Sequence, residues 1–571
     1  MRTSIMAEVL KLKSLTFLAG ARSGSAPLHV ETPSVTLLVG PNNSGKSLSL
    51  REIETWCQGK PANAVVIGET TLTLPDTASE VRAMLVPFEA QAPEGQFTQV
   101  GQTWFSRATV RKGEPTYRMQ VSEHNLKAMF DERDGSPDVY NELRSIFVQP
   151  FVVRLDGRTR FDLMDDKPTG PLERAPENHL WALFASDERR EQVRAFTEAA
   201  FNAHFVVDPT GMTTYRARLS NRKPDDKTEE QALDVRARTF HGAAPLVSGL
   251  GDGVRASIGL VSAVMSLPYK ILLVDEPEAF LHPTLARRMG RTLAKAARER
   301  DASMVIATHS AELLMGCLQA SPDLRLVRLT YQPGASTARS IDTQTVSTLM
   351  QDPLLRSANA LRALFHRAVV VTEADADRAF YEEINVRLLE DGRGIDDAIF
   401  LNAQNWQTIL RIVEPLRQLG IPAAAIFDLD VIMSSEFAPI WKLIPGEGAE
   451  KKELQATRSK LKDILTKLEK KACKEKGVDA LDSENRDMAK QFIARMGDFG
   501  IFFVSVGELE SWLANIGISR SNKAHWITAM FERLGSDPTA DDYVRSGDGD
   551  VWNFLTGIEH WIANPNRLGI P

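Results

Sequence analysis

The sequence predicts an α/β fold built as two successive domains. Short aliphatic runs such as Val35–Val39 are followed directly by polar residues, as in buried parallel strands whose carboxyl ends border a ligand site. The same pattern starts again after residue 355, with Arg367–Thr372. The chain has 571 residues, which is more than one ordinary hydrophobic core accommodates.

Composition narrows the class of protein. Hydrophobic residues make up 43% of the chain and charged residues 25%, which indicates a globular protein and excludes a disordered or fibrous one. The net charge of −7 argues against a generally basic DNA-coating protein, although it is compatible with a local basic groove. Three widely separated cysteines exclude a disulfide framework and a zinc ribbon. With no disulfide pattern among the cysteines, we expect a reducing cytoplasm. No apolar run is long enough for a membrane helix and the N-terminus reads as a strand, so we expect no membrane contact.

A phosphate-binding loop follows the first strand. The segment GPNNSGKS fits the pattern GxxxxGK[ST] at every position, between a strand and a helix. Glycines let backbone N–H groups face the phosphates, and the helix N-terminus adds the positive end of its dipole. We expect Lys46 to reach the β- and γ-phosphates of ATP and Ser47 to hold Mg²⁺. The residues expected to bind nucleotide here are Gly40, Pro41, Asn42, Asn43, Ser44, Gly45, Lys46 and Ser47.

Two later strands complete the predicted ATP site. Ile271–Val274 is followed by Asp275 and Glu276, and Met304–Ala307 is followed by a threonine and His309. We expect Asp275 to bind Mg²⁺ through its shell, Glu276 to polarise the attacking water and His309 to contact the γ-phosphate.

A long interval separates the first two of these strands. It contains strand-like pieces at Val65–Ile67 and Phe147–Leu155 and a charged run at Asn221–Glu230. We interpret it as an inserted lobe over about residues 60–240, a helical elaboration of an ATPase domain that covers residues 1–355.

Together these motifs resemble the ATP-binding-cassette (ABC) ATPases, especially the branch that includes SMC, RecF and related DNA-repair ATPases. The resemblance implies a signature loop before the acidic strand, for which Leu246–Gly253 is the candidate. In that family the loop completes the nucleotide site of a partner subunit, which implies a homodimer or higher homo-oligomer through the ATPase domains. The loop departs from the common LSGGQ, and its register stays open between SG at 248–249 and GDG at 251–253. The expected contacts are Ser248, Gly251 and Gly253.

The family also carries a glutamine loop. Gln149 is a weak candidate for it, and an ordinary polar residue beside Pro150 is the favoured interpretation.

The second domain carries acidic residues at strand ends. Glu373 follows the strand at 367–372, and Asp377 lies four residues on, in the first turn of the next helix. Asp428 and Asp430 end the strand predicted over Ala423–Phe427. Four acids at one sheet edge repel one another unless cations neutralise them, and hard oxygen ligands suit Mg²⁺ or Mn²⁺. Two such ions can hold the attacking and leaving oxygens of a phosphodiester displacement.

At these residues the chain resembles a TOPRIM domain, the catalytic module of topoisomerases, primases and OLD-family nucleases. The usual glycine after the glutamate is Ala374 here. An ABC-type ATPase followed by TOPRIM is the layout of the OLD (overcoming lysogenisation defect) endonucleases, whose relatives include the nuclease subunit of Gabija defence and some retron-associated effectors. The resemblance implies a Rossmann-like TOPRIM domain over residues 356–571, with a helical insertion over about 445–498.

The C-terminal part extends that resemblance. After a strand predicted over Phe502–Val506, Glu510 is the first choice for a further metal ligand and Glu508 the second, with ordinary helix-start acids as the alternative. Lys523 matches a downstream lysine of the family that can face the scissile phosphate, with a solvated helix-start lysine as the alternative. The highly charged segment 449–475 is interpreted as a solvated helical insertion, with a DNA-contacting basic arm as the alternative.

The resemblance therefore implies an ATP-regulated, metal-dependent DNA endonuclease in phage defence, with ATP and with Mg²⁺ or Mn²⁺ at both sites. It allows for a further component, such as a helicase or a reverse transcriptase with its RNA or DNA. Two alternatives are a ribonuclease that cuts host RNA such as tRNA and a non-cutting ATP-dependent DNA clamp or sensor. The intact carboxylates argue against the last.

Overall fold

The computed structural model describes residues 10–570, except residues 61–62, 76, 93–94, 108–116, 133–134, 158, 358, 469 and 520–522. The side chains of residues 107, 117, 348, 354, 357, 470, 471, 523 and 524 also lie outside this description. The chain forms two compact units, the first up to Thr343 and the second from Gln344, with Gly40–Asn42 grouped with the second. The expected N-terminal strand is described from Lys11, where strand Lys11–Phe17 begins.

A six-stranded sheet forms the centre of the first unit. In spatial order its strands are Ala335–Ile341, Arg325–Gln332, Val35–Val39, Ser303–Ala307, Ile271–Asp275 and Val152–Leu155. The last five are mutually parallel, and Ala335–Ile341 is antiparallel to its neighbour. The three predicted aliphatic strands are therefore confirmed, because runs of buried branched residues suit a parallel sheet covered on both faces. Their carboxyl ends meet at one edge.

Helices connect these strands and cover the sheet. Helix Lys46–Cys57 packs on strands Val152–Leu155, Ile271–Asp275 and Ser303–Ala307. The other helices next to the nucleotide motifs are Asp252–Ser266, Pro283–Glu299 and Ala311–Ala320. Pro283–Glu299 and Ala311–Ala320 pack against each other.

The rest of the first unit contains strands as well as helices, so the expected helical elaboration is a mixed one. It contains three small antiparallel sheets, whose strands are given in spatial order. The first consists of Leu28–Glu31, Lys11–Phe17 and Ile67–Thr73, and the second of Glu89–Ala90, Gln102–Arg107 and Tyr117–Ser122. The third consists of His204–Asp208, Thr214–Ser220 and Lys167–Pro168. The helices are Ala78–Leu85, Glu123–Glu132, Pro137–Leu143, Thr159–Asp162, His179–Ala185, Asp187–Phe201, Lys227–Gln231 and Val235–Ala243.

The strand expected over Phe147–Leu155 forms over its second half only. Residues Arg144–Phe151 form helical turns, and the strand begins at Val152. Pro150 lies in the second of these turns and lacks the backbone N–H that a sheet requires. Strand Val152–Leu155 pairs with Ile271–Asp275, so the middle of the long interval is part of the central sheet.

The second unit is built on a four-stranded parallel sheet. Its strand order is Ala398–Asn402, Ala368–Thr372, Ala423–Asp428 and Ile501–Val504. The helices outside the insertion are Thr343–Gln351, Pro353–Ser357, Asp375–Glu390, Trp406–Gln418, Lys523–Leu534 and Asp550–Ala563. Because all four strands are parallel, the residues that follow them lie at one edge.

The expected helical insertion lies between the last two of these strands. It consists of Ala449–Leu465, Lys470–Lys476 and Ser483–Gly497, so the helix expected over 449–475 is interrupted after Leu465. One face of the first helix is buried, and Arg458 Nε on it donates to Ile432 O at 2.9 Å. The insertion is therefore packed against the turn that follows Asp430.

Among the described helices, none combines the length and the apolar sequence needed to cross a membrane.

Candidate functional site

The phosphate-binding loop leaves strand Val35–Val39 and enters helix Lys46–Cys57. Gly45 precedes the helix with φ of 92°, and a Cβ there would lie 3.1 Å from Val66 Cγ2, so this position requires glycine. Lys46 is 4% exposed, and its Nζ donates to Ser44 Oγ at 3.1 Å. The ammonium is therefore held within the loop, where a phosphate can bind it.

A hydrogen bond joins the loop to the acidic strand. Ser47 Oγ donates to Asp275 Oδ1 at 3.0 Å. Burial raises the pKa of Asp275, and the bond from Ser47 opposes that effect. A hydroxyl and a carboxylate in contact are hard oxygen donors, so this pair fits the Mg²⁺ of a bound nucleotide.

Glu276 and His309 lie side by side at the ends of neighbouring strands. Glu276 has φ of 46°, a left-handed conformation that costs a residue with a side chain about 1–3 kcal/mol. Its N–H donates to Ala307 O at 2.8 Å, and its Oε1 lies 3.4 Å from His309 Nε2. The hydrogen bond with His309 is the main cause that lowers the pKa of Glu276, and burial opposes it.

Arg160 lies against the end of the acidic strand, a position that no sequence motif predicted. The residue is 1% exposed, and its guanidinium donates to Asp275 O and, through Nε at 3.3 Å, to Asp156 O. Burial lowers the pKa of Arg160, while the nearby charges of Glu278, Asp275 and Glu276 raise it. One arginine in an irregular polar interval belongs to no motif, so no sequence pattern could have identified it.

The candidate signature loop ends in a buried helix. Residues Val247–Gly249 form a 3₁₀ turn, and Gly251 is the N-cap of helix Asp252–Ser266. A Cβ on Gly253 would lie 2.6 Å from Phe280 O, so this glycine packs against the loop that follows the acidic strand. Gly251 and Gly253 thus lie at the helix start, and Ser248 lies in the preceding turn.

Gln149 is not brought to this edge. It precedes strand Val152–Leu155, which runs parallel to Ile271–Asp275, so it lies at the opposite end of the sheet from the phosphate-binding loop. The residue that follows this strand towards the nucleotide motifs is Asp156.

The acidic residues of the second unit lie at the carboxyl edge of its sheet. Glu373 directly follows strand Ala368–Thr372, and Asp428 is the last residue of strand Ala423–Asp428. Asp377 is 7% exposed, and its Oδ2 accepts a hydrogen bond from Ala374 N–H at 3.0 Å at the start of helix Asp375–Glu390. Asp430 lies in the short 3₁₀ turn Leu429–Met433, two residues after Asp428.

Three of the acidic residues expected to bind metal act electrostatically on one buried tyrosine. Tyr381 accepts a hydrogen bond from Trp512 Nε1 at 3.0 Å and is fully buried. Burial raises the pKa of Tyr381 well above its ordinary value, and the charges of Asp377, Asp428 and Glu510 raise it further. Acidic residues from three separate segments thus contribute to the electrostatics of one buried phenol.

Lys474 is a second feature that the sequence did not reveal. Its Nζ lies 2.7 Å from Glu508 Oε2. The hydrogen bond with Glu508 raises the pKa of Lys474, and the charges of Asp430 and Asp428 add to that effect. The two candidate glutamates thus differ, since Glu508 pairs with this lysine while Glu510, 8% exposed, lies near Tyr381.

Lys523 begins helix Lys523–Leu534, and its side chain lies outside the part of the chain that the structure describes. Among the described residues, no group of three or more His, Cys, Asp or Glu side chains is close enough to hold a metal ion. The carboxylates of the second unit therefore have the oxygen chemistry that suits Mg²⁺, but they do not form a closed ligand set.

Comparison with known proteins supports the nucleotide site. Residues 138–315 match the family described as "AAA domain, putative AbiEii toxin, Type IV TA system". A stretch of 69 residues is 38% identical to the phosphonates import ATP-binding protein PhnC 2 of Albidiferax ferrireducens, and one of 100 residues is 33% identical to PhnC of Alcaligenes faecalis. These stretches cover 12% and 18% of this chain, and the chain spans 24% and 35% of the length of the two relatives. With the loop geometry, they identify an ABC-like ATP-binding P-loop domain.

Solved structures of SMC heads are also similar to this chain. The SMC head domain from Thermotoga maritima is 18% identical with a TM-score of 0.29, over 58% of this chain and 99% of that chain. The SmcHead bound to the C-winged helix domain of ScpA is 11% identical with a TM-score of 0.31, over 59% of this chain and 99% of that chain. Likeness at these TM-scores does not establish a shared architecture.

Proposed function

We propose that this chain is an OLD-type ATP-dependent endonuclease, in which an ABC-like ATPase domain controls a TOPRIM domain that cuts DNA. The observation that carries the proposal is the placement of Glu373 and Asp428 at the carboxyl ends of two neighbouring parallel strands, with Asp377 in the first turn of the helix that follows the first of them. Like charges near one another in a partly buried site destabilise the fold unless cations neutralise them. Their presence in a chain that also carries a formed nucleotide site supports a catalytic role.

In the ATPase domain, each motif residue has a separate task. Lys46 binds the β- and γ-phosphates, and Ser47 and Asp275 would hold the accompanying Mg²⁺. Glu276 orients the attacking water by accepting its hydrogen bond, and His309 faces the γ-phosphate while it contacts Glu276. Hydrolysis of ATP is the expected reaction.

In the second unit, the chain supplies oxygen ligands and a positive charge. Mg²⁺ or Mn²⁺ bound there would stabilise the negative charge on the attacking and leaving oxygens of a phosphodiester. The residues that would hold such ions are Glu373, Asp377, Asp428, Asp430 and Glu510. Lys523 is assigned to the remaining phosphate oxygens, which also become more negative during attack.

The proposal extends to partners and biological role. A homodimer or higher homo-oligomer forms through the ATPase domains, with the Gly251–Gly253 helix start of one subunit completing the nucleotide site of the other. The family that matches residues 138–315 is named for a toxin of a toxin–antitoxin system, which supports a role in defence against phage DNA.

The decisive experiment is a cleavage assay on the purified full chain. Supercoiled plasmid and total RNA are incubated separately with Mg²⁺, Mn²⁺ or EDTA, with and without ATP. We expect plasmid cleavage that requires metal and is lost in Asp428→Ala, while Asp463→Ala, an exposed acid on the insertion, cuts normally. Cleavage of RNA alone would identify a ribonuclease. ATP-dependent DNA binding without cleavage of either substrate would identify a clamp or sensor.

A further inference from the structure

Glu278 joins two loops of the nucleotide site, and no sequence motif gives it a role. It lies two residues after Glu276, in the loop that leaves strand Ile271–Asp275. Its Oε1 accepts two hydrogen bonds from the loop that leaves the neighbouring strand, from Thr308 Oγ1 at 2.8 Å and from the N–H of His309 at 2.7 Å. One carboxylate oxygen therefore connects the acidic loop to the histidine loop.

Other hydrogen bonds hold the histidine loop in place around this contact. Thr308 N–H donates to Leu38 O at 3.1 Å, and Thr308 Oγ1 accepts from Ser310 N–H at 3.0 Å. Glu276 N–H donates to Ala307 O at 2.8 Å. The backbone at the start of the histidine loop is thus fixed to both neighbouring strands, and the carboxylate of Glu278 is the side-chain link farther along.

The second oxygen of the Glu278 carboxylate lies in an unusual environment. Glu278 Oε2 has no hydrogen-bond partner among the described residues. Burial raises the pKa of Glu278, and the nearby charge of Glu276 adds to that effect. Burial lowers the pKa of Arg160, and the charge of Glu278 in turn raises it. An enclosed carboxyl oxygen without a partner destabilises the fold, and perturbed ionisable groups cluster at functional sites.

We propose that Glu278 is a positioning residue for ATP hydrolysis, because its bonds to the Thr308 hydroxyl and to the His309 backbone N–H hold the loop that carries the imidazole beside the Glu276 carboxylate. The proposal rests on the ATPase activity proposed above. Glu278 acts through the pair of His309 and Glu276, whose nitrogen and oxygen lie 3.4 Å apart. Among the described residues, its side-chain hydrogen bonds go to Thr308 and His309 and not to the phosphate-binding loop. Its loss should therefore impair the chemical step and leave nucleotide binding intact.

The test measures steady-state ATP hydrolysis by the purified full chain over a range of ATP concentrations. Glu278→Ala removes the acceptor, and we expect kcat to fall roughly tenfold, since small misplacements of catalytic groups have effects of this size or larger. The KM for ATP should change by less than about twofold. Glu278→Gln retains an acceptor oxygen and should keep kcat within about threefold of the unchanged chain. Glu299→Ala, an exposed acid on helix Pro283–Glu299, is the matched control and should hydrolyse normally.

A double substitution separates positioning from general damage. In a Glu276→Gln background, Glu278→Ala should lower kcat no further, because the group through which it acts is already lost. A full additional tenfold loss, or normal kcat in Glu278→Ala, would overturn the proposal. If Glu278→Ala fails to bind a fluorescent ATP analogue, Thr308→Val decides instead: a several-fold lower kcat with normal binding supports positioning, and an unchanged kcat rejects it. Absence of ATP hydrolysis by the unchanged chain would reject the ATPase activity itself, and the proposal with it.

Discussion

The nucleotide site and the acidic edge of the second unit both lie at the carboxyl ends of parallel strands, yet they are assembled to different degrees. In the nucleotide site, Ser47 contacts Asp275 at 3.0 Å and His309 lies 3.4 Å from Glu276. At the acidic edge, burial and the charges of three carboxylates raise the pKa of Tyr381, but no described group of three or more potential metal ligands is close enough to hold an ion.

Charge explains the difference between the two sites. The nucleotide site combines acids with Lys46, with Arg160 and with the positive end of a helix, so opposite charges hold its groups together before any ligand binds. The acidic edge consists mainly of like charges, which repel one another unless cations neutralise them. We therefore expect the nucleotide site to keep its arrangement without ATP. The acidic edge of the second unit should need added metal to bring its carboxylates together.

The largest expected effect follows from removing a ligand at the acidic edge. Asp428→Ala should slow DNA cleavage by roughly a thousandfold or more, because it removes an oxygen that would hold the metal ion, and a loss of about 4 kcal/mol corresponds to this factor. ATP hydrolysis should stay within about twofold of normal. Plasmid cleavage and phosphate release measured on the same preparation check both statements. Normal cleavage by Asp428→Ala would show that the metal site lies elsewhere.

Two substitutions in the nucleotide site should affect ATP binding and ATP hydrolysis differently. Lys46→Ala should weaken ATP binding, because it removes the positive charge within the phosphate-binding loop. Glu276→Gln should bind ATP normally and hydrolyse it about a hundredfold more slowly, since the amide no longer polarises the water. Equilibrium titration with a fluorescent ATP analogue and a hydrolysis assay distinguish the two variants. Unchanged hydrolysis by both would refute the ATPase function.

For Lys523, the expected effect on cleavage is smaller than that of Asp428→Ala. Lys523→Ala should cut DNA roughly a hundredfold more slowly at saturating metal, the loss of about 3 kcal/mol expected when one charge-assisted contact to the reacting phosphate is removed. The metal affinity should be nearly unchanged because lysine is not a ligand. Lys523→Arg should recover part of the rate, since a broad guanidinium replaces a point charge. Cleavage at the normal rate by Lys523→Ala would make it an ordinary surface lysine.

The structural features that could be predicted from the sequence are those that depend on residues consecutive in the chain. Local pattern predicts the strand Val35–Val39, the loop after it and the acids that end later strands. In the structure this strand lies within the central sheet, and the loop and the acids follow the carboxyl ends of strands. Arg160 and Glu278 could not be found in this way, because their roles depend on contacts with segments far away or on another loop. The place of Gln149 depends on where the neighbouring strand starts, and the pattern of residues 147–155 did not predict that this strand begins only at Val152.

The smallest effect, and the one that tests the charge argument most directly, concerns Lys474. Its ammonium pairs with Glu508 at 2.7 Å and lies near Asp430 and Asp428, and its side chain is 41% exposed. Lys474→Gln removes one positive charge beside two expected ligands, so the ions should meet a more negative potential. We expect the Mg²⁺ concentration for half-maximal cleavage to fall about threefold, or about 0.6 kcal/mol, the size expected for a charge that solvent partly screens.

Lys476→Gln is the matched control, because Lys476 is exposed at the end of the same helix and removes the same charge from the chain. Magnesium titrations of cleavage at fixed ionic strength compare the two variants. If both shift equally, the effect comes from net charge rather than from the place of Lys474. If Lys474→Gln instead needs more Mg²⁺, the lysine orders the ligands through Glu508, and repulsion between the carboxylates is not what keeps this site open.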